Sequence, residues 1–234
     1  MVSDLISIII EKVRRKLTKM RLQPIRVFCF HHISDAFDES TMKNGDWLQT
    51  DAFILAIEKL LYEGYSFISL PEAQEKLSHD IFRWHKYAVL TADDGWASMR
   101  NILPWLNQQQ IPVTLFLNPA YLDGKHFRER ATEQYLNEKE VKQLYLHYPL
   151  VTIGSHGWEH IDFHKQSDSE FSHSIIAAKE YLQTLPNYIL FFAFPYGDYS
   201  PRHVNIVRSH HLVPLTVLGG KNYCKSDYID RELL

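Results

Sequence analysis

The stretch Tyr87-Ala88-Val89-Leu90-Thr91-Ala92-Asp93-Asp94-Gly95 decides how the rest of the chain is read. A short apolar, β-prone run ends abruptly in two carboxylates and a glycine. Such a run reads as a buried strand, and Asp-Gly is a common turn signal. A turn alone accounts for those three residues. Two adjacent carboxylates at the end of a buried strand nevertheless repel each other unless a cation or a proton relieves them. The same residues therefore also read as part of a cation site. One carboxylate would hold a divalent metal, and its neighbour would stay ionised beside it as a general base.

Working outward, the same kind of run recurs. Residues 26–30 are β-rich and end in His31-His32. Residues 51–62 have helical periodicity, with Phe53, Ile57, Leu60 and Leu61 on one side, and Gly64 stops them. Residues 67–70 predict a short strand, and Pro71 opens another helix. After Gly95 comes a helix carrying Ile102, Leu103 and Leu106, then a strand over 112–117. Residues 151–154 run into Ser155-His156, residues 189–194 into Pro195-Tyr196-Gly197, and residues 213–218 form a last strand. Strands alternating with helices predict one α/β domain, a barrel-like (β/α) fold of about seven parallel strands. In such barrels the chemistry gathers at the C-terminal ends of the strands. The polar groups His31-His32, Asp93-Asp94, His156 and Pro195-Tyr196 all fall at those ends.

His156 and His160 are spaced by four, which puts both rings on one side of a helical turn, suitable for a shared metal. Thirteen histidines make such a pair common by chance, and His160 with His164 is another. Position separates the two, because His156 directly follows a strand and His164 lies further along. Two imidazoles and one carboxylate make a common catalytic zinc set that leaves a place for water. The loop Pro195-Tyr196-Gly197 would present backbone N–H groups to a developing oxyanion; without that role it is simply a loop.

Composition narrows the class. The 234 residues suit one sizeable domain or two small ones. A formal charge of −3 argues against a nucleic-acid partner, which usually demands a strongly basic face. The two cysteines, Cys29 and Cys224, suggest neither a disulfide framework nor a cysteine metal site, and a reducing compartment fits. Residues 1–24 read as an amphipathic helix preceding a barrel domain over 25–234. Leu5, Ile9, Val13, Leu17 and Met20 share a face, and Lys12, Arg15, Lys16 and Lys19 lie mostly elsewhere. That helix either docks on the domain or makes a peripheral membrane contact through residues 1–22. Its apolar run is too short to span a bilayer and has its positive charge after it, unlike a secretory signal. The expected location is the cytoplasm, at the inner face of the membrane if the helix binds there.

Leu90-Thr91-Ala92-Asp93-Asp94-Gly95, followed by Pro104 and by Ile111 to Phe116, resembles the first motif of the polysaccharide deacetylases, the NodB-homology carbohydrate esterases. The run from His156 to His160 resembles their second motif, and the run from Phe192 to Gly197 their third. Phe30-His31-His32-Ile33 and the segment from Phe53 to Leu70 resemble the upstream part. The resemblance implies a hydrolase that removes an acetyl group from an N-acetylated amino sugar of a bacterial glycan or its precursor. It implies that Asp93 is the general base and that Asp94, His156 and His160 hold a divalent metal, with zinc the expected ion. It implies an oxyanion resting partly on the Tyr196 N–H. Pro195, Tyr196 and Trp96 are expected against the substrate.

The sequence also departs from the family pattern. Ala193 occupies the position, two before the proline, where the third motif usually carries an arginine that orients the catalytic aspartate. Ala92 replaces a usual phenylalanine. The late Leu-x-His motif, which supplies the general acid, has no counterpart. Arg231 is a candidate to stand in for the arginine. His31 is a candidate acid, with a buried structural histidine as the equal alternative. The departures leave open a non-catalytic sugar-binding descendant of the fold, or a metal-dependent C–N hydrolase acting on another substrate.

Overall fold

The computed structural model describes residues 23–35, 47–79, 84–123, 134–223 and 226–234. The amphipathic helix expected over residues 1–24 falls almost wholly outside them, as does Cys224. Among the described residues no helix is long and apolar enough to cross a membrane.

The chain alternates as its periodicity predicts. The first strand, β1 (Ile25–Phe30), leads through β2 (His32–Ile33) and β3 (Trp47–Leu48) to helix α1 (Thr50–Tyr62). Then follow β4 (Tyr65–Phe67), α2 (Leu70–His79), β5 (Lys86–Ala92), α3 (Leu103–Gln108), β6 (Val113–Leu117) and α4 (Glu138–His147). The remainder is β7 (Val151–Ser155), α5 (Asp168–Leu182), β8 (Tyr188–Ala193), α6 (Pro201–Ser209), β9 (Val213–Thr216), β10 (Ile229–Asp230) and β11 (Glu232–Leu233). Nine of these strands form one sheet, ordered β10-β9-β8-β7-β6-β5-β1-β11 with β4 beside β5. Every pairing in it is parallel. The small pair β2–β3 stands apart.

The seven predicted strands are all present, with one shifted. The strand expected over 67–70 ends at Phe67, because Ser69 caps the next helix, its hydroxyl accepting the Glu72 N–H at 3.3 Å. Helices α4 and α5 each begin with a reciprocal capping box, Asn137 with Glu140 and Ser167 with Glu170.

Strands β10 and β11 lay outside the sequence reading, and they matter most. β10 extends the sheet beyond β9, and β11 extends it beyond β1 at the opposite end. Only Arg231 separates them. Residues 229–233 thus carry the chain from one end of the sheet to the other and nearly close it into a barrel. Arg26 and Glu232 clamp β11 to β1 with two hydrogen bonds, at 2.9 and 2.7 Å.

Side chains alternate across the sheet. Val27, Val89, Phe116, Ala193, Leu215 and Ile229 belong to one buried cluster in the barrel interior. Phe28, Phe30, Leu90, Ala92, Leu115 and Ile153 belong to another, under the surrounding helices. Following the inward set to the C-terminal ends of β1 and β5 reaches Cys29 and His31 on one strand and Thr91 and Asp93 on the other. The site therefore inherits its inward direction from the period-2 pattern. Gly154 is required in β7, since a Cβ there would meet the Phe116 ring at 2.3 Å.

Candidate active site

Asp93 and Asp94 leave the end of β5 in opposite senses. Asp94 has a left-handed backbone, with φ of 69°, and Gly95 continues at 75°. A non-glycine residue held there indicates a turn that the surrounding structure enforces. A Cβ on Gly95 would meet Leu117 Cδ2 at 2.6 Å, so the glycine also lets β6 approach.

The turn aims Asp94 at two imidazoles. Its Oδ1 lies 3.4 Å from His156 Nε2 and 3.2 Å from His160 Nε2. The three donor atoms lie within 4.8 Å of one another, and all three residues are buried or nearly so. His156 follows β7, and its backbone N–H is held by Leu117 O at 3.0 Å. Its Nδ1 faces Ala193 O at 2.8 Å. A carbonyl can only accept, so Nδ1 donates to it and Nε2 is the nitrogen turned to the cluster. His160 is fixed by its backbone N–H, which donates to the Tyr121 hydroxyl at 2.9 Å. Asn118, at the end of β6, donates to His156 O at 2.6 Å and Gly157 O at 3.2 Å, so it shapes the same loop. Burial alone would push the Asp94 carboxyl up. The His156 hydrogen bond and the positive character of both imidazoles outweigh it and hold the group well below the usual carboxylate range.

Asp93 faces elsewhere. Arg231 Nη1 and Nη2 donate to its two oxygens at 2.6 and 2.8 Å. The guanidinium is fully buried; it also donates to Thr91 Oγ1 and to Thr216 O, both at 3.3 Å, and lies over the Phe116 ring. Burial opposes ionisation of Asp93, but Arg231 first, then His156 and His31, keep its carboxyl below the ordinary value. Arg231, the candidate stand-in for the arginine missing at Ala193, is thus the cation that faces Asp93.

His31 lies beside this pair. A ring nitrogen of His31, the Cys29 sulfur and an Asp93 oxygen all fall within 4.8 Å of one another. His32 turns aside, its Nδ1 at 3.2 Å from Ser98 Oγ and its ring edge-on to Trp96. His164 is not part of the cluster and pairs with Asp198 at 3.1 Å.

The third motif brings Tyr196 to the rim. Pro195 is buried, whereas Tyr196 is 63% exposed and strained at φ 63°. Its ring lies 4.4 Å from that of His160, edge to face. Trp96 behaves differently from the expectation that it lines the substrate. It is 5% exposed, and its indole N–H donates to Asp94 Oδ2 at 3.1 Å. Tyr121, Tyr135 and Asn118 were not found from the sequence. Only Asn118, directly after a predicted strand, carried a positional signal.

A sequence model described as polysaccharide deacetylase matches residues 84–215, more than half of the chain and all three motifs. The chain belongs to the polysaccharide deacetylase family. Solved structures agree in fold. IcaB from Ammonifex degensii is 20% identical over 92% of this chain and 93% of its own, with a TM-score of 0.75. The Streptococcus pyogenes deacetylase PplD, solved with acetate, is 20% identical over 91% and 93%, with a TM-score of 0.71. A de-N-acetylase from Aggregatibacter actinomycetemcomitans is 18% identical over 91% and 95%, with a TM-score of 0.70. No curated protein matches the sequence.

Proposed function

We propose that this polysaccharide deacetylase is a metal-dependent hydrolase that removes the acetyl group from an N-acetylated amino sugar of a bacterial glycan or glycan precursor. The observation that carries the reading is the pairing of two buried carboxylates with two different partners. Asp94 is turned to His156 and His160, and Asp93 is turned to Arg231. Family membership supplies the reaction class, and the similar fold of a de-N-acetylase and of a deacetylase solved with acetate supports the acyl group.

The donor set fits a divalent ion. Asp94 Oδ1 and the two Nε2 atoms converge, and the hydrogen bond of His156 Nδ1 to the Ala193 carbonyl turns its Nε2 to the cluster. Two nitrogens and one oxygen suit zinc and its neighbours better than magnesium or calcium. Such an ion, when bound, supplies Lewis acidity toward the acyl carbonyl and lowers the pKa of a water from near 16 towards about 7.

The chain's own groups do the rest. Asp93 is ionised and fixed by Arg231, and as general base it takes the proton of the attacking water. The bidentate pairing makes it a weaker base but fixes its direction. The Tyr196 N–H, at a left-handed turn on the rim, donates to the developing oxyanion. His31, within reach of Asp93, delivers the proton that the leaving amine requires. The exposed Tyr196 ring offers the sugar a flat apolar face. Arg231 supports this catalytic reading over a purely sugar-binding one, since a binder has no need of a clamped base.

The test is acetate release from N-acetylated polymeric, lipid-linked and nucleotide-linked amino sugars, with metal content measured on the same samples. Release that stops on chelation and returns with added zinc or cobalt is expected. A protein that binds these sugars with its metal loaded and releases no acetate would leave the non-catalytic reading standing.

A further inference from the structure

We propose that Trp96 is a positioning residue that confines Asp94 to a single donor oxygen. It does so as one end of an aromatic string that reaches His160. The inference rests on the metal-site reading above and goes beyond it, to what sets the affinity and coordination number of that site.

The two oxygens of Asp94 have separate tasks. Oδ1 faces both imidazoles, and Oδ2 accepts the Trp96 indole N–H at 3.1 Å. An indole nitrogen is a donor only, so when buried it requires an acceptor. Trp96 is 5% exposed and Asp94 4%, which excludes water as an easy substitute on either side. A hydrogen bond to a carboxylate in such a setting is charge-assisted and stronger than a neutral one.

The indole is itself held. It stacks on Tyr135 with ring centroids 4.6 Å apart and 18° between planes. Tyr135 is fixed over it by a short antiparallel bridge, in which Ala97 N donates to Gln134 O and Leu136 N to Gly95 O. Tyr135 in turn meets Tyr121 at 4.8 Å, and the Tyr121 hydroxyl accepts the His160 N–H. One continuous set of contacts thus joins the carboxylate of the first motif to the backbone of the second.

A carboxylate with both oxygens available can turn to grip an ion with two, as larger, oxygen-seeking ions such as calcium favour. With Oδ2 tied to Trp96, Asp94 offers one. That geometry suits a four-coordinate ion with a place left for water.

The test uses Co²⁺ alone as probe. Trp96→Phe keeps an aromatic ring against Tyr135 and removes the N–H. Its affinity is read by competition with a chelator and its coordination by the visible absorption spectrum. The expected result is about 10–100-fold weaker binding, the usual effect of losing a partner behind a ligand, and a spectrum shifted toward higher coordination number. Unchanged affinity and spectrum would overturn the role of Trp96. Wild type and Asp94→Ala are measured alongside. A wild type that binds no Co²⁺, or an Asp94→Ala that binds it equally well, would instead sink the metal-site reading. Should Trp96→Phe not fold, Tyr121→Phe tests the other end of the string. It removes the acceptor for His160 N–H, and several-fold weaker Co²⁺ binding is expected; wild-type affinity there would overturn the string.

Discussion

Arg231 and Asp93 are 138 positions apart in sequence, yet their side chains meet in a buried two-bonded ion pair at 2.6 and 2.8 Å. The arginine arrives between the two short strands that bring the ends of the sheet together. Its place in the fold and its contact with the proposed base are one feature, so a change at Arg231 affects stability and chemistry together.

Removing one partner of a buried pair leaves the other charge without compensation, which costs about 3–5 kcal/mol. Arg231→Met should therefore lower the melting midpoint by about 6–20 °C, at roughly 2–4 °C per kcal/mol for a domain of this size. Adding Asp93→Asn removes the stranded charge and should recover much of that loss without restoring turnover. Thermal unfolding of the three proteins checks this. An Arg231→Met protein that melts like wild type would show the pair to be energetically idle.

The two adjacent aspartates should separate cleanly. Asp93→Asn retains the ion-binding cluster and loses the base, so metal stays bound while turnover falls by about 10²–10⁴-fold. Asp94→Asn removes a ligand, so metal content falls with activity. Metal analysis beside acetate release distinguishes them, and the reverse pattern would mean that the roles are exchanged.

His31→Gln tests the proton donor. The variant should hold its metal and lose most of its rate, since loss of a general acid typically costs about 10²–10⁴-fold. A normal rate of acetate release at full metal content would remove His31 from the mechanism and leave water as the donor.

A stability effect at mildly acidic pH should arise away from the site, at His203. Its ring is nearly buried, 4.1 Å from that of Phe163 and 5.2 Å from that of Phe171, with Nδ1 at 2.7 Å from Ser200 Oγ. Burial holds its pKa below the ordinary value, with His164 and Arg202 adding to the shift and Asp168 opposing it. For a base with a depressed folded pKa, the unfolded chain takes up the proton first. Stability is then full above about pH 6.5 and declines as the pH falls through that value. Melting curves of wild type and His203→Leu between pH 7.5 and 5.5 check the sign. The variant should show the shallower decline.

How much of this was legible in the sequence depended on distance along the chain. The strand over Lys86–Ala92 and the two carboxylates at its end were readable because apolar runs, turn residues and polar strand ends are local signals. His156 and His160 were readable from spacing joined to position. Strands β10 and β11 were not, since two residues each is too short for any periodicity. Arg231 was suggested only by what Ala193 lacked. Trp96 was expected against the substrate, with Pro195 and Tyr196. Nothing local reveals that Tyr135 covers one face of its ring and Asp94 takes its only donor.

The route of residues 229–234 between the two ends of the sheet has a consequence for the order of events during synthesis. The ribosome makes Asp93 and the cluster of Asp94, His156 and His160 before it makes Arg231. Until that residue emerges, the nascent barrel has two unpaired edges on β1 and β9, and a carboxylate with no counter-charge. Such edges are what chaperones and neighbouring chains recognise. Catalytic competence and protection from aggregation should therefore be acquired in the same late step.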